Sequence, residues 1–338
     1  MKPKNFVALL AAAVLSLAVA VTAYISSRPW TPASFSRGAA AMPALQPAED
    51  KVAAIEIEQG GNAIKLALKD GKWVVASQED YPANLEAVRN LLLNASQATL
   101  AERKTAKKDR LGLLGLGDPK TTSSRLIRFL DADGHVIGAI VAGNSKPDAF
   151  GANKNGTYVR NPADDQSWLA DRPIDVGAKL SDWVTTRVVD IPTNSIKTAT
   201  IEVAGQPAYT IDKDKDGSHK LAQMPAGKKL KYVNSVDEII ESASYVDFQG
   251  VRKADKSDTL PSAGKVSYET DKGLKVQLDV KSDGKQAWIV VTSSGTGEGK
   301  KQADEMAPLV TGWEFKIPVA KVSGLLKKQD DLLENTGS

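Results

Sequence analysis

The sequence predicts an α+β fold: a single N-terminal transmembrane helix followed by two tandem homologous units of antiparallel sheet plus helices. Three observations predict it. Phe6–Ile25 is an uncharged, almost wholly apolar run. Short alternating segments joined by Asp-Gly and similar turns read as antiparallel strands. The second half also repeats the first. Trp168 and Pro173 recur as Trp313 and Pro318, each 145 positions later, and Ile55-Glu56-Ile57 recurs as Ile201-Glu202-Val203 after 146.

The chain has 338 residues, long enough for about two domains. Hydrophobic residues make up 42% and charged residues 25%, as in a folded body. The formal charge is +3, from 44 basic and 41 acidic residues, and no arginine-rich stripe appears. That balance excludes a nucleic-acid partner. The absence of cysteine removes disulfides, thiolate metal sites and cysteine nucleophiles together.

Residues 1–25 read as a cytoplasmic tip and transmembrane anchor, since about 20 apolar residues in a helix span a bilayer. Lys2 and Lys4 precede the run and favour a cytoplasmic N-terminus, and Tyr24 and Trp30 suit an interfacial belt. The alternative is a cleaved signal peptide, with Ala18-Val19-Ala20 as the small-x-small site. The run exceeds a usual signal core, which favours the anchor. The body then lies in the periplasm, on a single pass through a bacterial inner membrane. Residues 26–50, with Pro29, Pro32, Pro43 and Pro47, read as a flexible linker.

The first unit is expected over 51–192. Ala53–Glu58 and Ala63–Leu68 alternate like half-buried strands, and Asp70-Gly71 turns the chain into Trp73-Val74-Val75. Asn84 offers an N-cap to a helix over about 84–103, with Leu85, Val88, Leu91, Leu92 and Ala95 on one face. Arg125–Asp131 and His135–Ala142 form a hairpin across Asp133-Gly134. Two short strands follow, at Thr157–Arg160 and Trp168–Ala170. A closing helix is expected from Pro173 to Val184, with proline in its first turn. Asn144–Gly156 reads as a long polar loop.

The second unit, 193–333, retells this order. Thr200–Ala204, Ala208–Asp212 and Lys220–Gln223 are its first strands. Ser235-Val236-Asp237-Glu238 reads as a capping box. Lys265–Thr270, Leu274–Lys281, Ala287–Thr292 and Trp313–Ile317 complete the sheet. Ser293–Gln302, rich in Gly, Ser and Lys, reads as mobile. A helix from Val319 to about Leu333 closes the unit, and 334–338 reads as a disordered tail.

Several short motifs resemble the domain-of-unknown-function 4340 family. They are Asp70-Gly71-Lys72-Trp73, Tyr81-Pro82-Ala83, Gly115-Leu116-Gly117-Asp118-Pro119, Gly156-Thr157-Tyr158-Val159-Arg160 and Asp182-Trp183-Val184-Thr185-Thr186-Arg187. The second unit lacks the Tyr-Pro-Ala and Gly-Leu-Gly-Asp-Pro signatures. The resemblance implies a single-span, envelope-facing protein, often encoded beside ABC-transporter components. It carries no established catalytic residues.

Asp212, Asp214 and Asp216, followed by Gly217, match the opening of a calcium loop. The twelfth position is Gln223 where a bidentate Glu belongs, and strands flank the run, so an enlarged hairpin turn is the preferred reading. His135 and His219 each follow a turn glycine and read as exposed turn residues, too few for a zinc site or a Ser-His-Asp triad. Gly112–Gly117 lacks the Lys-Ser/Thr ending of a phosphate loop. Asp164-Asp165 and Asp330-Asp331 read as solvated pairs. Trp73, Trp168, Trp183, Trp288 and Trp313 read as core, not as a sugar-stacking platform.

No catalytic residue, cofactor or metal is therefore expected. The reading is a membrane-anchored periplasmic binding or scaffold protein, non-catalytic, with the inner membrane as partner through residues 6–25. The resemblance adds ABC-transporter subunits as partners. The alternatives are an envelope carbohydrate-active hydrolase using acidic residues and a calcium-stabilised adhesion or sensor module.

Overall fold

The computed structural model of the protein describes residues 38–254 and 259–336. The first strands are β1 (Ala54–Gln59), β2 (Asn62–Lys69), β3 (Lys72–Val75) and β4 (Tyr81–Pro82). Asp70 and Gly71 turn β2 into β3 with φ of 50° and 73°, the left-handed pair a two-residue hairpin demands. Helix α1 (Leu85–Gln97) starts where the Asn84 side chain accepts the backbone N–H groups of Glu86 and Ala87. It carries the chain across the sheet to β5 (Leu100–Arg103) and helix α2 (Lys108–Leu111). Then follow β6 (Arg125–Leu130), β7 (Val136–Lys146), β8 (Gly156–Arg160) and β9 (Ser167–Ala170). These strands form one antiparallel sheet in the order β4-β3-β2-β1-β6-β7-β8-β9-β5.

After β10 (Arg187–Asp190) come β11 (Ile196–Val203), β12 (Tyr209–Lys213), β13 (His219–Leu221) and β14 (Lys228–Leu230). Helix α3 (Ser235–Ser244) leads to β15 (Tyr245–Asp247) and β16 (Gly250–Lys253). The long strands β17 (Ser262–Thr270), β18 (Leu274–Ser282) and β19 (Ala287–Gly295) precede helix α4 (Glu298–Val310) and β20 (Trp313–Ile317). Helices α5 (Val319–Leu325) and α6 (Gln329–Leu332) and strand β21 (Leu333–Asn335) finish the chain. The second sheet runs β13-β12-β11-β17-β18-β19-β20-β16. In both sheets a strand that follows the helix, β5 in the first and β16 in the second, sits beyond the last meander strand. Trp168 and Trp313 occupy matching strands, paired with Arg103 and Lys253 of those crossing strands.

Register sets the core. Ile55 faces Leu66 and Phe129 across the sheet, and Ile57 faces Ile64 and Ile127. With Val88, Leu91 and Ala95 of α1 they join one apolar core that also takes in Val266, Leu278 and Phe315 of the second sheet. The outer face of the first sheet has a small core of its own, where Leu111 and Leu116 pack on Val141. The outer face of the second sheet is polar. Thr210, Thr200, Ser267, Gln277 and Thr292 stand in one row across its strands.

The expected α+β fold led by a transmembrane helix is corrected. Antiparallel sheet dominates, with 40% strand against 23% helix among the described residues. No helix among them is long and apolar enough to cross a membrane. Residues 6–25, where the anchor is expected, lie outside the described residues. The helix expected over 84–103 stops at Gln97, because the Thr99 N–H donates to the Asp171 carboxylate and the chain turns into β5.

The remaining helix expectations change for local reasons. Ser293–Gln302 is not a mobile loop: β19 runs to Gly295 and α4 begins at Glu298. Gly295 and Gly299 serve close approach. A Cβ on Gly299 would stand 2.1 Å from the Leu274 nitrogen. The helix expected over 319–333 breaks at Leu326 into α5 and α6. Asn234, not Ser235, is the N-cap of α3, and the Ser235 hydroxyl donates to the Tyr232 carbonyl. The ends are more ordered than expected. Met42 and Leu45 are buried, within the stretch read as linker, and Leu333–Asn335 pair with β14.

Candidate functional site

A cleft of about 590 Å³ lies on the first sheet between α1 and the segment 173–182. That is the size of a small-molecule site. The segment is where a closing helix is expected, from Pro173 to Val184, and the structure corrects this. Only Leu180–Asp182 is helical, as a single 3-10 turn. Its backbone donors are taken by side chains instead. The Ile174 N–H donates to the Thr157 hydroxyl at 2.8 Å, the Ala178 N–H to the Gln59 side-chain carbonyl at 3.2 Å, and the Lys179 N–H to Asp182 at 3.0 Å. Bonds of this kind compete with helix formation.

Trp183 fixes the far end of the segment. It is fully buried, its indole N–H donates to the Gly177 carbonyl at 2.9 Å, and its carbonyl accepts the Asn84 N–H at 2.6 Å. The last bond ties the loop to the start of α1. Gly177 is required by close approach, since a Cβ there would stand 2.3 Å from an Asp182 oxygen.

The opposite wall is α1. Asn90 and Asn94, one turn apart, line the cleft and make no side-chain hydrogen bond among the described residues. Ala87, Leu91, Pro173 and Val176 supply apolar lining. Arg125 opens β6 with its guanidinium buried. It donates to Asp175 across the cleft and to the Gly143 carbonyl, while its Nε has no partner in the structure. An unpaired buried donor costs about 1–3 kcal/mol, so this guanidinium is held in place at a cost. Asp182 is committed to the Lys179 N–H, and the Lys179 ammonium has no ion pair among the described residues.

Residues 73–265 match the profile of a Domain of unknown function, DUF4340. The chain belongs to the DUF4340 family. No curated protein and no solved structure matches it. The DUF4340 match takes in α1, Arg125 and the whole 173–182 loop, and Gln59 lies just before it. The profile names no activity. Several residues behind the resemblance hold the cleft: Thr157 receives Ile174, Trp183 locks Gly177, and Gly156 lies so close to β9 that a Cβ would meet the Ala170 carbonyl at 2.7 Å.

The sites expected from sequence lie elsewhere. Asp212 accepts from the Thr198 hydroxyl at 2.7 Å, Asp214 pairs with Lys220 at 2.6 Å, and Asp216 accepts from the Ser218 hydroxyl at 2.7 Å. Lys220 holds Asp214 below the usual carboxylate range, and the Ser218 donors do the same for Asp216. The three carboxylates therefore serve a turn on local donors and do not converge.

Three carboxylate or imidazole groups gather within ligand distance among the described residues only at Asp131, Asp133 and His135, in an exposed turn where Asp131 already accepts two backbone N–H groups. His135 is exposed as expected. His219 is not: its side chain is 5% exposed, with Nε2 at 3.0 Å from the Ile196 carbonyl and Nδ1 at 3.4 Å from Asp237. The β11 backbone reaches it because β13 packs beneath α3. Gly112–Gly117 is a packing loop, and a Cβ on Gly143 of β7 would stand 2.2 Å from the Leu114 carbonyl.

Asp164 caps its own turn and Asp165 reaches Lys108 at 3.4 Å, while Asp330 and Asp331 lie exposed on α6. Trp183 and Trp313 are buried, and Trp73, Trp168 and Trp288 are half-buried. Sequence reasoning missed Gln59, Asn90, Asn94, Arg125, Asp175 and Lys179. One signal was present: Arg125 stands at i, i+2, i+4 with Ile127 and Phe129, a charge on the apolar face of its strand.

Proposed function

We propose that the protein is a non-catalytic binding or scaffold subunit, held at a bacterial inner membrane through residues 6–25 with its body in the periplasm. In this reading it is accessory to an ABC-type transport complex. The observation that supports a binding role is the cleft itself. Its walls are fixed by backbone-to-side-chain bonds, and its carboxylates are committed to internal donors. Asn90 and Asn94 remain free to meet a ligand. Rigid walls with a few free polar groups are how binding sites gain orientation without chemistry. The transport link rests on what the family resemblance implies.

Co-purification from mild detergent tests the proposal. Transporter subunits are expected to travel with the protein. A lone monomer, under conditions that keep known complexes intact, would count against the accessory role.

One observation favours a hydrolytic reading. Asp175 and Asp182 line the same cleft, and glycoside hydrolysis uses two carboxylates. Both already act as acceptors for internal donors, Arg125 and the Lys179 N–H. Turnover of a glycan that disappears in Asp182→Asn would establish this second reading; unchanged glycan would end it.

A further inference from the structure

We infer that the cleft between α1 and the 173–182 loop takes a neutral, polyhydroxylated ligand, a glycan segment of disaccharide size. The inference rests on the reading of this cleft as a binding site, and it names the ligand class.

The lining decides between classes. An anion needs unspent positive charge. Here the Arg125 guanidinium is consumed by Asp175 and the Gly143 carbonyl, and the Asp182 carboxylate offsets the Lys179 ammonium, so the lining has no net positive charge to spend on an anion. A cation needs converging carboxylates, and these two do not gather with a third ligand. An extended peptide that adds a strand needs a free sheet edge, and the walls are a helix and a loop. A purely apolar ligand would strip water from Asn90 and Asn94 and give them no partner, which disfavours it.

A sugar meets each feature. The side-chain amides of Asn90 and Asn94 each offer donors and an acceptor, which suits neighbouring hydroxyls that are themselves both. One turn of helix separates them, so they address successive positions on one face of the ligand. Each carboxylate spends one oxygen on its internal donor, Asp175 Oδ1 and Asp182 Oδ2, and the second oxygen of each is left to accept a hydroxyl. Ala87, Pro173 and Val176 supply an apolar surface for the C–H face of a ring. Arg125 and Gly177 act as positioning residues: the first holds Asp175 and the second lets Asp182 approach the wall.

The test is titration calorimetry on the full chain in a sugar-free detergent. The probes are N,N′-diacetylchitobiose, cellobiose and maltose, with sodium phosphate as the anionic comparison. Heat of binding is expected with at least one disaccharide and none with phosphate. The double variant Asn90→Ala/Asn94→Ala is expected to bind about tenfold more weakly or worse. Asn90 is exposed and Asn94 half-buried, and both changes raise helix propensity, so an unchanged thermal melt is expected to show that the fold survives. No heat with any of the three disaccharides would overturn the inference. So would phosphate binding in their place, or unchanged disaccharide affinity in the double variant. Co-purification is read separately: an intact complex without sugar binding removes only this inference, and sugar binding by a lone monomer removes only the transport role.

Discussion

Tyr81 stands edge-on to Trp313 across the junction of the two sheets, with ring centroids 5.0 Å apart and planes at 84°. The same ring meets Phe248 at 5.8 Å and Phe315 at 6.0 Å, both near perpendicular. Its hydroxyl donates to the Leu309 carbonyl at 3.3 Å. A residue from the edge of the first sheet thus plugs an aromatic socket in the second. Nearby, Glu79 accepts the Lys253 N–H, and β10 pairs with β15 under an Arg187–Asp247 bridge. These contacts bind the halves into one body.

Tyr81→Ala is therefore expected to cost about 3–5 kcal/mol, the range for emptying a buried aromatic site. It should also uncouple the halves. Urea denaturation followed by tryptophan fluorescence is expected to change from one transition to two. A single transition at an unchanged midpoint would show that the socket does not couple them. Tyr81→Phe keeps the ring packing and is expected to cost only about 1 kcal/mol for the hydroxyl.

Alkaline pH should attack the same contacts. Burial raises the Tyr81 phenol from 10.0 to about 12, and it also raises Tyr209 and Tyr268 well above their ordinary value. A group raised in the folded state gives stability that is complete below its unfolded value and lost as pH climbs through the folded one. For Tyr81 the window runs from pH 10 to about 12. Stability is expected to be flat with respect to these groups below pH 10 and to fall above it. The ultraviolet signal of tyrosinate is expected to appear for these residues together with unfolding. Smooth ionisation of all tyrosines near pH 10 in the folded protein would refute the burial account.

Tyr268 and Tyr209 make an internal comparison. The Tyr268 hydroxyl is buried with no hydrogen-bond partner in the structure, whereas Tyr209 donates to the Lys327 carbonyl at 2.8 Å. Tyr268→Phe removes an unpaid desolvation cost and is expected to be neutral or stabilising by about 1 kcal/mol. Tyr209→Phe is expected to destabilise by about 1 kcal/mol. Paired thermal melts check both signs at once, and a loss of stability in Tyr268→Phe would mean that the hydroxyl has a partner.

The strands were legible where alternation and turn chemistry agreed. Ile55 and Ile57 on one face of β1, and Asp70-Gly71 between β2 and β3, left little freedom. The crossing strands β5 and β16 were not legible, because short edge strands carry weak alternation and take their place from the helix before them. The 173–182 loop misled for a physical reason. Its apolar spacing and Pro173 suit a helix, but the donors that decide its shape go to Thr157 and Gln59, distant in sequence. Gly295 and Gly299 read as flexibility and proved to be close packing. The cleft was hidden for the same reason: Asn90 and Asn94 face Asp175 only through the tertiary fold.

The Thr157 hydroxyl is the most economical place to test that loop. It is fully buried and accepts the Ile174 N–H, which is itself buried. Thr157→Val keeps the shape and removes the acceptor. The expected cost is about 1–3 kcal/mol, from an unsatisfied buried donor. Hydrogen exchange is expected to speed up at Ile174 and Ala178 while β1 and β6 stay protected. Uniform exchange, or none, would show that the loop is not held through this bond.

Glu314 carries the last prediction. It lies on the outer face of the second sheet yet is only 1% exposed. One oxygen accepts from Arg252 at 2.9 and 2.7 Å, the other from Lys281 at 2.6 Å, and the Arg252 guanidinium lies 4.0 Å from the centre of the Trp288 ring. Register explains the site, since Arg252 and Glu314 stand opposite each other in β16 and β20. Removing the carboxylate charge in Glu314→Gln leaves two cations facing an amide. Breaking a buried pair usually costs about 3–5 kcal/mol, and the lower end applies because Arg252 and Lys281 remain partly in water. Replacing all three by Leu, Met and Met is expected to restore most of that loss, because burying charge was itself costly. Urea midpoints at low and high salt separate the two effects. If the triple variant is as unstable as Glu314→Gln, the network contributes net stability and the argument from desolvation fails.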